Sequence, residues 1–123
     1  MAIRGVRGAT SIEADQPERV YEATRELLVA MLDANETMRS EDIASVIFTV
    51  TQDIVSAFPA QAARQFGWGL VPMICAREIP VPGSLPLVIR VLLHWNTDVP
   101  QDGVRHIYLR RAVKLRPDLV AAQ

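Results

Sequence analysis

The sequence is poor in the residues that carry most protein chemistry. Of 123 residues, one is cysteine, Cys75, and two are histidine, His94 and His106. A single cysteine excludes an internal disulfide, and so little thiol and imidazole leaves no zinc-type ligand spacing. No metal or cofactor is expected. No apolar run approaches the roughly 18 residues of a membrane span. The chain does not open with a basic segment followed by an apolar stretch, so no secretory signal is read and the cytoplasm is the expected compartment. A phosphate-binding loop, a dinucleotide fingerprint and a nucleophile elbow are also missing. Lysine is nearly absent: of thirteen basic residues, all but Lys114 are arginine. A net charge of −1 supplies no field toward nucleic acid or an anionic membrane.

Apolar residues, by contrast, make up 50% of the chain, and mean hydropathy is slightly positive. The length suits a single domain, residues 1–123, with a modest core. That is more apolar material than such a core requires, which implies burial between subunits of a closed homo-oligomer. The arginines read chiefly as coding bias. Arginine is also the side chain suited to two-pronged binding of carboxylates, so each has to be judged singly.

Residues 2–12 read as a strand, with Gly5 and Gly8 marking a bulge or a close backbone approach. A helix follows, with Asp15 and Glu18 spaced as a capping box and Pro17 in the first turn. Val20, Thr24, Leu27, Leu28, Met31 and Leu32 form its apolar stripe, and it ends near Asn35. A short helical turn is expected from Ser40 to Ile43, a strand over 45–51, and a helix over 59–66 stopped by Gly67. Further strands are read over 70–76, 85–97 and 104–113, separated by a proline-rich loop at 80–83 and a turn at 98–103. Regular structure stops at Arg116-Pro117. The order of strand, helix, strand, helix and three strands implies an α/β fold. It is a mixed sheet with helices on one face, which can curl toward a barrel.

Arg90 is the most informative residue. It lies in Leu87-Val88-Ile89-Arg90-Val91-Leu92-Leu93, where alternation puts it on one face with Val88, Leu92 and His94. With both faces mostly apolar, its charge needs an anionic partner. The residues alone leave two partners open: a carboxylate of the same protein, or a ligand. Arg7, flanked by Gly5 and Gly8, is a second candidate, whereas Arg4 reads as solvated. Glu78 and Cys75 sit at a strand exit before the proline-rich loop, where Glu78 can accept from a hydroxyl. Cys75 has no neighbouring histidine in sequence and reads as a small buried hydrophobe. Tyr108 offers a hydroxyl from a strand face shared with His106 and Val104. His94 and His106 read as structural residues. Arg110, Arg111 and Lys114 read as a solvated basic run. A catalyst made from these parts works by binding and electrostatics, without covalent or metal chemistry.

Taken together, IRGVRGAT, FPAQAARQFGW, VPMICAREI, PGSLPLVIRV and TDVPQDGVRHIYLRRAVKLRPDL resemble the AroH-class chorismate mutases, from about Ile3 to Leu119. The resemblance implies a homotrimer with a barrel-like core and active sites between neighbouring subunits. It also implies an isomerase that converts chorismate to prephenate in phenylalanine and tyrosine synthesis, with no cofactor. Arg7 and Tyr108 are then expected to hold a substrate carboxylate. Arg90 is expected at the ether oxygen and a carboxylate, and Glu78 and Cys75 at the ring hydroxyl. Phe58, Ala60, Met73, Ile74 and Leu115 would line the pocket, with Arg64 and Arg116 as outer cations at its mouth. The sequence departs from the family pattern at Gln61, where many relatives have lysine, and at Ile74, where threonine is common. Two rival readings are a trimeric enamine/imine deaminase-like enzyme and a non-catalytic trimer that binds a small carboxylate.

Overall fold

The computed structural model describes residues 2–116; Met1 and residues 117–123, and with them the stop expected at Arg116-Pro117, lie outside the described residues. Strand β1 (Ile3–Ser11) leads into helix α1 (Pro17–Ala34), a 3-10 turn (Ser40–Asp42) and strand β2 (Ile43–Val50). Helix α2 (Pro59–Gln65), strand β3 (Met73–Arg77) and strand β4 (Val88–Asn96) follow. A 3-10 turn (Gln101–Gly103), a two-residue strand β5 (Ile107–Tyr108) and a 3-10 helix (Arg110–Leu115) complete the described chain. The α/β order read from the sequence is the order observed.

The five strands form one sheet in the order β3-β2-β4-β1-β5. Strand β4 is antiparallel to both β1 and β2, while β3 runs parallel to β2 and β5 parallel to β1. The sheet is therefore mixed, and within one chain it is open. Side chains alternate between its faces. Val6, Val46, Phe48, Val91, Leu93 and Trp95 turn to one face and are buried with Leu27, Leu28 and Met31 of α1 and Ala60 and Ala63 of α2. A second apolar cluster joins Ile12, Val20, Ala23, Val50, Ile54 and Ile89 at the end of the sheet where β1 passes into α1. The opposite face carries Arg7, Ile47, Arg90 and Leu92, with neither α1 nor α2 over it among the described residues.

Gly8 explains how closely α1 sits on the sheet. A Cβ at this position would lie 2.6 Å from Met31 Sδ, 3.0 Å from Val91 Cγ1 and 3.2 Å from Leu27 Cδ1. The close approach expected of this glycine is thus an approach of the helix to β1.

Four local expectations are corrected. Asp15 does not cap α1. The N-cap is Gln16, and the Asp15 carboxylate instead accepts from the backbone N–H groups of Val55 and Ser56 and from the Ser56 hydroxyl. The strand expected over 70–76 begins only at Met73, because Trp68 to Val71 closes a turn and leaves Leu70 fully exposed. The strand expected from Leu85 begins at Val88. Leu87 has a left-handed backbone, φ 54°, and its N–H is taken by the Asp53 carboxylate. The strand expected over 104–113 shrinks to Ile107–Tyr108. Arg110 is also left-handed, φ 53°, and turns the chain into the 3-10 helix.

Replacing Gly8 by alanine should cost about 1–3 kcal/mol, the range for overpacking a filled core. Urea denaturation would measure it, and an unchanged midpoint would contradict the packing described here.

Candidate active site

The open face of the sheet gathers the functional candidates in two rows. Strand register places Thr49 opposite Arg90, Arg90 opposite Ala9, and Ala9 beside Tyr108. The adjacent row runs Ile74, Ile47, Leu92, Arg7. Ala9 is the smallest side chain in the first row and leaves a depression between Arg90 and Tyr108. A cavity of about 240 Å³ results, lined by Arg7, Ala9, Thr49, Glu78, Arg90 and Tyr108 among others.

Glu78 reaches this cavity because the β2–β3 pairing continues one step past the strand: its N–H donates to Val50 O at 2.9 Å. Its carboxylate accepts a hydrogen bond from the Thr49 hydroxyl. It also forms an ion pair with Arg90, Nε to Oε2, at 3.5 Å. The two side chains are 28% and 23% exposed, so the pair is shielded but not sealed. The internal carboxylate left open as a partner for Arg90 is therefore present. It does not satisfy Arg90. The buried Nε has no acceptor in hydrogen-bond geometry, and the buried hydroxyl of Tyr108 has none either. Buried donors are costly to leave unmatched, so two of them in one cavity point to an acceptor supplied from outside the chain. Two arginines, a phenol and one carboxylate line the cavity, a donor set that suits an anion.

The remaining candidates fall elsewhere. Cys75 and Met73 pair with Phe48 and Val46, so they lie on the helix side of β3, opposite to Glu78. The expectation that Cys75 and Glu78 converge is not met within one chain, because residues three apart on a strand face opposite ways. Cys75 instead lines a larger groove of about 620 Å³ with Tyr21, Phe58, Gln61 and Arg77. Phe58 is largely exposed at its rim, while Ala60 is buried behind it. Arg64 is exposed on α2 and donates to Gln61 Oε1 at 3.5 Å. Ile74 is exposed on the open face. Leu115 closes the last 3-10 helix, and Arg116 borders a third cleft with Arg105, His106 and Tyr108.

Two residues near the site are not among the site candidates read from sequence, where His106 reads as structural and Thr49 is not named. Thr49 orients Glu78, which no motif announces. His106 turns its ring to β1, and Nδ1 accepts the Arg7 backbone N–H at 3.0 Å. Desolvation, and then the Arg7 cation, hold this imidazole below its ordinary pKa. His94, by comparison, shares a hydrogen bond with Ser45 at 3.0 Å.

The fold and the cavity describe an α/β protein built to bind a small anion by arginine, with no metal cluster among the described residues. No described helix is long and apolar enough to cross a membrane. The family model for chorismate mutase type I matches residues 3–119. The chain is 64% identical to chorismate mutase AroH of Thermus thermophilus, over 98% of this chain and 99% of that one. It is 44% identical to chorismate mutase AroH of Bacillus subtilis, over 97% and 94% of the two chains. A solved chorismate mutase from Clostridium thermocellum superposes with a TM-score of 0.86 at 42% identity, covering 89% of this chain and 96% of that one. The chain belongs to the type I chorismate mutase family.

Asp15 steadies the segment that carries Phe58. Burial opposes its charge, but the bonds from Ser56 and Val55 outweigh that and hold its carboxyl below the usual range. A depressed native pKa stabilises the fold above the unfolded value of about 3.9, and the gain is lost as pH falls through the native value. Asp15→Ala should therefore cost about 0.5–1.5 kcal/mol at neutral pH, the net range for hydrogen bonds, because solvent screens this carboxylate. The deficit should shrink in acid. Denaturant titrations at both pH values test this, and an equal deficit in both would refute it.

Proposed function

We propose that the chain is a chorismate mutase, an isomerase that converts chorismate to prephenate in the cytoplasm for phenylalanine and tyrosine synthesis. The observation that carries this reading is the pair of buried donors without acceptors, Arg90 Nε and Tyr108 Oη, in one arginine-lined cavity. Family membership gives the anion its identity and replaces the imine-deaminase alternative.

The reaction rearranges one molecule. A carbon–oxygen ether bond breaks, a carbon–carbon bond forms, and no atom is gained or lost. No nucleophile is needed, which suits a cavity lined by guanidinium, phenol and carboxylate. The protein has two tasks. It must hold a flexible dianion in a reactive chair, which is a matter of orientation. It must also meet negative charge that grows on the ether oxygen as the bond breaks. We assign the second task to Arg90. Arg7 and Tyr108 hold a substrate carboxylate, and Glu78 accepts from the ring hydroxyl. Glu78 also keeps the Arg90 guanidinium in place before substrate arrives.

The working unit is a homotrimer of single-domain chains in this proposal, with each site shared by two copies. Three features support it. The cavity of about 240 Å³ is smaller than the roughly 300 Å³ at which ligand pockets begin. The open sheet face exposes Ile74 and Leu92, which favours cover by another copy. Phe58 and Cys75 line the groove on the far side of β3, with Met73 on the same strand face and Ala60 buried behind them, where the groove can serve a neighbour's cavity. Ile74 and Leu115 line the joined pocket, and Arg64 and Arg116 stand at its mouth. With Gln61 uncharged, capture of the dianion rests more heavily on those arginines.

Arg90→Ala should lower kcat by at least about 100-fold with the fold intact, as for loss of a transition-state donor. Arg90→Lys should recover only part, because an ammonium lacks the planar fork. Chorismate absorbance decay measures both, and an active Arg90→Ala enzyme would refute the role. Saturable chorismate binding by wild type without prephenate formation would favour the non-catalytic alternative. Cys75→Ala should be mild in the same assay; a fall to background would mean that the thiol takes part in the chemistry.

A further inference from the structure

We infer that His106 is a positioning residue for Arg7 and Tyr108, acting as a neutral hydrogen-bond acceptor in the gap between β1 and β5. This rests on the proposed chorismate mutase activity.

Strand β5 meets β1 at only two registered positions, Gly8 with Ile107 and Ala9 with Tyr108. Beyond them, Leu109 N–H donates to Ala9 O at 2.9 Å. Before them no backbone carbonyl takes the Arg7 N–H; the imidazole of His106 does, at 3.0 Å. His106 thereby extends the junction by one step, and the residue it reaches lines the cavity. The ring is itself placed from both sides. Residue 107 is locked to Gly8, and both backbone groups of Arg105 are bonded to the side chain of Asn35, at 2.9 and 3.0 Å. Asn35 is buried at the C-terminus of α1. A chain of contacts thus runs from the helix through Asn35, Arg105 and His106 to Arg7, and Tyr108 is two residues further on.

The acceptor role requires Nδ1 without a proton, so the ring must be the Nε2–H tautomer. Its surroundings favour this, for although the ring is exposed, partial desolvation and the Arg7 cation both disfavour its charged form. The charged groups near it are cations: Arg7 on β1, Arg105 beside it, and Arg116, which borders the same cleft at the end of the last 3-10 helix. No carboxylate lines that cleft among the described residues. Protonation would turn the acceptor into a donor facing another donor and add a cation beside Arg7.

Asparagine places its Oδ1 where Nδ1 stands, whereas leucine has similar bulk and no acceptor. His106→Leu should raise KM for chorismate about tenfold while kcat stays within about twofold, because what weakens is carboxylate binding shared by ground and transition states. His106→Asn should restore KM to near the wild-type value. As pH falls below the ordinary imidazole range, wild-type KM should rise while that of His106→Asn stays flat. Circular dichroism and melting confirm that the variants are folded, and 15N spectra of wild type should show His106 with Nδ1 unprotonated at neutral pH. Unchanged kinetics in His106→Leu, no rescue by asparagine, or coincident acid profiles would overturn the inference. An active wild type with any of these results sinks His106 alone. An inactive wild type, with Arg90→Ala as control, sinks the enzymatic reading and this role with it.

Discussion

Strand β4 is the constraint on which everything else depends. It is bonded along both edges, to β1 and to β2, so its register sets which side chains of three strands share a face. Ile89, Val91, Leu93 and Trp95 must then face the helices together, and Arg90 must face away from them. The apolar residues of β4 supply the reason for that register, because a slip by one residue would bury Arg90 under α1 and expose the core. Arg90 is placed by the burial of its neighbours. Gly8 completes the arrangement by letting α1 settle on the same sheet.

The Arg90–Glu78 pair shows how a site can be stable and unsatisfied together. The carboxylate compensates the guanidinium well enough for the chain to fold around it. The contact at Nε falls short of hydrogen-bond geometry, and the phenol of Tyr108 across the depression at Ala9 has no acceptor either. A buried arginine is often read as either a structural ion pair or a ligand contact. Here Arg90 makes the first while its Nε still lacks an acceptor in hydrogen-bond geometry, and Thr49 holds the carboxylate in place.

Most of the fold was legible in the sequence because its elements announce themselves. The stripe of Leu27, Leu28 and Met31 marks α1, and the β-branched run to Val50 marks β2. The alternation through Arg90 marks β4, and with it the side of the sheet on which the site lies. The misread parts share a cause: their local preferences were decided by partners distant in the chain. Asp15 looks like a cap, yet its best donors come from Val55 and Ser56. Leu87 looks like strand, yet Asp53 claims its N–H. The segment after Tyr108 has strand composition, but Ser11 and Ile12 bond Arg111 and draw the chain into a 3-10 helix. The separation of Cys75 from Glu78 follows from strand alternation. The motif alone hides it, because a motif lists residues without saying which way they face.

Strand β5 carries Tyr108 on the shortest pairing in the sheet. Stability within a protein is uneven, and an edge with so few bonds belongs to the part that opens most readily. A ligand that engages Tyr108 therefore does more than occupy a cavity. It adds a bond to the weakest seam of the fold, and by linkage the closed form of that seam becomes more populated as ligand rises. Occupancy and local order would then be one equilibrium: an anion bound at Tyr108 would also help to hold β5 against the sheet.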